Sequence, residues 1–229
     1  MTEKDFVIPK VVFEPGFSLD LAYPVNEKAT TPFEEKWDEL TDWIPEIQEE
    51  WESKEKRVLE ITVNLLSKGF RRRELSAALI LSPLPSMSYP LVINVSTFLK
   101  SSKDQKPRFY FFSTVYHELL HRYLNEGFSV DVLSSSPLLR KYIDRREPRA
   151  VISHLHLFAV QKWVYLNIGK EEELRKIVQW NSEADDLAYA RAWTIVNELD
   201  GLEAYIKELQ VRGTKSKEIA KQSRVRADL

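Results

Sequence analysis

Residues 109–127, FYFFSTVYHELLHRYLNEG, set two histidines and a glutamate inside a strongly apolar run. Apolar residues at helical spacing make this stretch a helix, and burying three such polar groups without partners is costly. Residues i and i+4 project from one face of a helix, one turn apart. His117 and His121 therefore reach one metal ion together. Glu118 points about 100° further round. From there it reaches an ion-activated water without occupying the ion. Two imidazole ligands plus a carboxylate base is the arrangement of a zinc hydrolase. With 4 histidines and 24 glutamates in 229 residues, chance gives the pattern in about 0.7% of chains, so the spacing carries information. The alternative is a buried helix whose histidines and glutamate hydrogen-bond to neighbours.

Zinc takes three protein ligands and an open position. The chain has no cysteine, which excludes thiolate ligands and disulfides alike. The third ligand is sought in 147-EPRAVISHLHLFAVQKWVYLNIG-169. Glu147 and His154 are seven apart and face the same way on a helix beginning near Pro148. Either His154 binds the ion with Glu147 as its outer partner, or Glu147 binds it and His154 faces the substrate or an oxyanion. The preference goes to His154, with Glu147 the rival. His156 lies about 200° round the helix from His154 and reads as a satisfied core residue.

Around this helix the chain divides into a sheet-containing and a helical part. Residues 6–23 mix β-branched and aromatic residues with Pro and Gly and predict two short strands. Thr31 as N-cap and Pro32 in the first turn predict a helix, which Pro45 should break or kink. A second helix is expected from about Glu46 to Ser67, stopped by Gly69. ELSAALILS and PLVINVSTFL predict two strands joined as a hairpin-like pair or sheet edge through 83-PLPSMSYP-90. Gly127 should end the HELLH helix. Helices are expected after it over 136–143, 148–168, 171–180, 183–199 and 202–211. The acidic stretch 34–60 reads as a solvated helix face with Glu50–Lys54 and Glu52–Lys56 pairs, and Arg71–Arg73 as a solvated loop.

At 43% hydrophobic the chain can bury a sizeable core. Its net charge of −2 gives no bias toward nucleic acid or membrane. The N-terminus lacks the apolar core of a signal peptide, and no run approaches the length of a membrane span. The expectation is a cytoplasmic protein with no nucleic-acid or membrane partner.

HELLH resembles the HExxH motif of the zincin metallopeptidase superfamily. The resemblance covers five residues and their strand-then-helix context. It implies zinc (Zn2+) on His117 and His121, Glu118 as general base, and a peptide or protein substrate. It also makes the strand at 91–98 an edge for extended peptide, and it fits a glutamate-type zincin if Glu147 is the third ligand. The metzincin type is excluded, because Leu124 and Gly127 stand where Gly and His are required. The deformylase type is excluded because it needs a cysteine. Zincins add a group that steadies the tetrahedral intermediate; Tyr142, Tyr165 and Tyr189 are the tyrosines downstream. The expected fold is thus α+β, a mostly helical zincin-like domain with a small β-sheet preceding the HExxH helix. A single domain is expected over 1–211, sheet-containing to about 127 and helical from about 134, with a basic flexible tail over 212–229. The expected function is a zinc-dependent hydrolase, a metallopeptidase. The alternative is a zincin-like regulatory or interaction protein that binds zinc without peptidase activity.

Overall fold

The computed structural model describes residues 6–22, 32–128, 136–183 and 187–213. These are mostly helical with one small sheet, which is an α+β composition. The chain separates into two compact units. The division does not follow the expected line near residues 127–134, because Val58–Arg71 joins the C-terminal helices. Thr31, and the expected tail beyond residue 213, lie outside the described residues.

The first unit comprises the described residues of Pro9–Arg57 and Arg72–Arg122. It holds β1 (Lys10–Pro15), α1 (Phe17–Ala22), α2 (Phe33–Glu50), a π-helical turn (Trp51–Glu55), β2 (Glu74–Ile80), β3 (Val92–Asn94) and the greater part of α4 (Arg108–Phe128). The three strands are all parallel, in the order β1-β2-β3, with Phe13 opposite Ala77 and Ala78 opposite Val92. β2 and β3 are therefore not the hairpin-like pair expected. The intervening chain doubles back on itself, with Met87 forming an antiparallel bridge to Val92, and delivers β3 in the direction of β2. Ala77, Leu79, Ile80 and Leu81 are buried, and a near-continuous apolar run is what a parallel strand covered on both faces needs.

The second of the two strands expected within residues 6–23 is instead helix α1. Gly16 makes the turn between β1 and α1 possible. Its N–H donates to the Leu79 carbonyl (2.7 Å), and a Cβ there would stand 2.5 Å from Ile80 Cγ2. The turn brings the buried Asp20 under the end of β2, where its carboxylate accepts from the Leu81 (2.9 Å) and Ser82 (2.7 Å) amides.

Pro45 does not break α2, which runs through it from Phe33 to Glu50. The ladder bond it removes is offset by packing of Leu40, Trp43 and Ile47, all buried. Gln48 adds a clasp on β1, accepting from the Phe13 amide and donating to the Val11 carbonyl, both at 2.9 Å. The expected helix from Glu46 to Ser67 is accordingly three pieces: the end of α2, the π turn, and α3 (Arg57–Leu66). Of the expected acidic–basic pairs, Lys56–Glu52 forms at 3.1 Å. Glu50 pairs instead with Arg108 (3.3 Å), which also holds Glu46 (2.8 Å). Arg108 is the first residue of α4, so α2 fixes where that helix starts. Phe111 packs on Phe13, Trp43 and Phe98, with ring centroids 5.1–5.7 Å apart, and Phe112 stacks on Trp51.

The second unit comprises residues 6–8, Val58–Arg71 and the described residues from Tyr123 onward. Besides α3 and the end of α4 it contains α5 (Pro137–Asp144), α6 (Arg149–Asn167), α7 (Glu171–Glu183), α8 (Leu187–Thr194), a π-helical turn (Ile195–Leu199) and a helix over 202–213. α4 continues past Gly127 to Phe128, so that glycine does not stop it. Gly69 has a different role from the expected helix stop: a Cβ there would lie 2.6 Å from the Val7 amide nitrogen. The left-handed residue that closes α3 is Ser67 (φ 50°), with Lys68 N–H on the Val63 carbonyl. Arg146 (φ 60°) and Gly169 (φ +73°) close α5 and α6 in the same way.

α6 is the core helix of this unit. Val151, Leu155, Phe158, Ala159, Val160 and Val164 are almost fully buried. Two polar clusters flank it. Asp200, with a side chain 6% exposed, pairs with Lys141 and accepts from Tyr142 (2.7 Å) and Tyr205 (2.6 Å) hydroxyls. Glu208 accepts from Ser136, His156 and Arg212. No helix among the described residues is long and apolar enough to cross a membrane.

Candidate metal centre

His117 and His121 lie one turn apart on α4, and their Nε2 atoms face each other at 3.2 Å. Two imidazoles bound to one tetrahedral ion at 2.0–2.1 Å place their nitrogens about 3.3 Å apart. The helix therefore presents this pair at the spacing of a shared ion. His117 and Glu118 are buried and His121 is half-buried. Burial lifts the Glu118 carboxyl from its ordinary range to about 7.

His154 lies on the buried α6 and is 7% exposed. Its Nδ1 sits 2.6 Å from the Ala150 carbonyl oxygen. A carbonyl only accepts, so Nδ1 carries the hydrogen of this contact. A backbone carbonyl on the far nitrogen is the usual orienting partner of a metal-binding histidine. The ring also lies against Tyr189 (4.5 Å between centroids) and Phe158 (5.3 Å).

His117 and His121 belong to the first unit and His154 to the second, and each carries ring nitrogens of the kind that bind a metal ion. The donor set fits a borderline ion such as zinc, being nitrogen only.

Glu147 lies just before α6, in the same unit as His154. Its carboxylate accepts two hydrogen bonds from Arg191, at 2.6 Å from Nη2 and 3.1 Å from Nε. His156 points elsewhere on α6, as its spacing from His154 predicts: its Nε2 pairs with Glu208 at 3.0 Å and its ring meets Tyr205 edge-on. Of the three tyrosines singled out in the sequence, Tyr142 bonds Asp200 and Tyr165 is buried. Tyr189 has its ring against His154. The Ala150 carbonyl left no trace in residue type, and the salt bridges of Arg108 link positions too far apart for any local pattern.

No family model matches this chain, and neither a curated protein nor a solved structure does. The HELLH resemblance therefore rests on its five residues and the helix that bears them.

Proposed function

We propose that the protein is a zinc-dependent hydrolase of the zincin type, a metallopeptidase acting on peptide or protein substrates. The observation that supports the reading is the His117–His121 pair, with Nε2 atoms 3.2 Å apart, beside the buried Glu118. The three imidazoles would hold the ion, with His154 rather than Glu147 as third ligand. A divalent ion held by these neutral ligands would polarise a carbonyl and would draw the pKa of a water toward about 7. Glu118, directly after His117 in the chain, takes the proton as water attacks the substrate carbonyl and returns it to the leaving amine. Its burial suits that duty, since a base poised near neutral both accepts and donates. Ala150 fixes the His154 tautomer. Tyr189, whose ring lies against His154, is the group we assign to steady the developing oxyanion.

The test is hydrolysis of a quenched-fluorescent peptide mixture by zinc-loaded protein. Cleavage that Glu118→Gln abolishes while zinc stays bound supports the reading; no cleavage by wild type refutes the enzyme. In that case the second reading stands, a zinc-binding regulatory or interaction protein. It is favoured by one observation: the amides on the open side of β3, where an extended substrate would add, are already bonded within the chain.

A further inference from the structure

β3 is the outer strand of the sheet. On its inner side the Val95 amide donates to Ile80 and the Leu91 carbonyl accepts from Ala78. On its outer side Val92 exchanges both backbone hydrogen bonds with Met87, each at 2.9 Å. The next outward amide, that of Asn94, donates to Ser86 Oγ (3.0 Å). Residues 86 and 87 therefore pair with β3 as a docked antiparallel peptide would.

Contacts to Arg122 help hold this segment down, among them the Tyr89 hydroxyl on the Arg122 carbonyl (3.5 Å). The Ser88 carbonyl accepts from Arg122 Nη1 (3.1 Å), and the Tyr89 ring lies under the Arg122 guanidinium, 4.6 Å from its centroid. Tyr89 is 49% exposed and residues 86–88 are half-buried. A cation over an exposed ring and a few hydrogen bonds are individually weak tethers. Arg122 follows His121 directly on α4, so the segment is tied to the helix that carries the candidate ligands.

We propose that residues 86–89 are an autoinhibitory strap. The strap occupies from within the chain the strand edge on which an extended peptide docks, and it lifts before such a peptide binds. The inference rests on the proposed function only in taking that peptide to be the substrate; the edge and its occupant stand without it. Unpaired strand edges recruit other chains, and a self-pairing strap prevents this until a competing strand arrives.

The test compares wild type with Ser86→Ala/Tyr89→Ala, and with Tyr89→Ala alone should the double variant unfold. Two quantities are measured: amide hydrogen exchange, and binding of a synthetic peptide carrying residues 84–89 (Leu-Pro-Ser-Met-Ser-Tyr) by fluorescence anisotropy. The expected result is exchange about tenfold or more faster at Met87, Val92 and Asn94 in the variant, with Ala78 and Val95 unchanged. The peptide should bind the variant at least about tenfold tighter than wild type. Unchanged exchange at Met87 and Val92, or peptide binding no tighter than to wild type, overturns the strap. Neither readout uses metal or catalysis, so a protein without hydrolase activity still answers the question, and failure here leaves the metal centre untouched.

Discussion

The Nε2 atoms of His117 and His121 face each other 3.2 Å apart across one turn of α4. Without an ion, one ring must donate to the other across that gap. With an ion, both lone pairs point inward at the tetrahedral spacing of about 3.3 Å. The pair is thus the fixed half of the candidate centre, and the predictions turn on what completes it.

His154→Ala should cost more zinc affinity than Glu147→Ala. The Nδ1 of His154 is held by the Ala150 carbonyl, the usual orientation of a metal-binding imidazole, whereas Glu147 is held by Arg191. An outer partner of a metal ligand is worth about 10–100-fold; loss of an inner ligand should exceed that. His156→Ala should leave affinity unchanged. Competition with a chromogenic chelator ranks the three, and a greater loss in Glu147→Ala would make the carboxylate the ligand.

Glu118→Gln keeps the shape of the side chain and removes the base. Zinc should remain bound while turnover falls by at least about 10². Full turnover in this variant would assign the base elsewhere.

Asp200 gives a pH-dependent contribution to stability. Burial pushes its pKa up, but hydrogen bonds from Lys141, Tyr205 and Tyr142 outweigh burial and hold it below the ordinary 3.8. A carboxyl lowered in the folded state stabilises above its unfolded pKa, and that contribution is lost as pH falls through the folded value. Asp200→Asn should therefore be less stable than wild type by about 2 kcal/mol at pH 6. Urea unfolding should show this gap narrowing below about pH 4. A gap that is constant down to acid pH would mean the carboxylate charge is not what matters.

Gly69→Ala should destabilise by about 1–3 kcal/mol, the usual cost of overpacking, because its Cβ would meet the Val7 backbone at 2.6 Å. A neutral substitution in denaturant titration would show that this close approach relaxes freely.

The sequence made α4 and the shared face of His117 and His121 legible, because i,i+4 geometry is local. The opposed directions of His154 and His156 were legible for the same reason. The ion pair of Glu147 with Arg191 was not, since Arg191 is 44 positions beyond Glu147. The parallel sheet was hidden as well. ELSAALILS and PLVINVSTFL carry the same strand signal in either direction, and only the Met87–Val92 bridge reveals that the chain turns back before β3 begins. Pro45 misled because its local cost is real, while the compensation comes from burial of Leu40, Trp43 and Ile47 and from the bond of Gln48 in α2 to Phe13 of β1, 35 positions away.

The most direct test of the central claim is metal content. Wild-type protein, loaded with zinc and dialysed against a weak chelator, is analysed by inductively coupled plasma mass spectrometry beside His117→Ala, His121→Ala and His154→Ala. Wild type should hold about one zinc per chain, as for a single three-ligand site, with a near-complete loss in each variant. Wild type without stoichiometric zinc or another divalent ion, or full retention of the ion in any of the three variants, would contradict that claim.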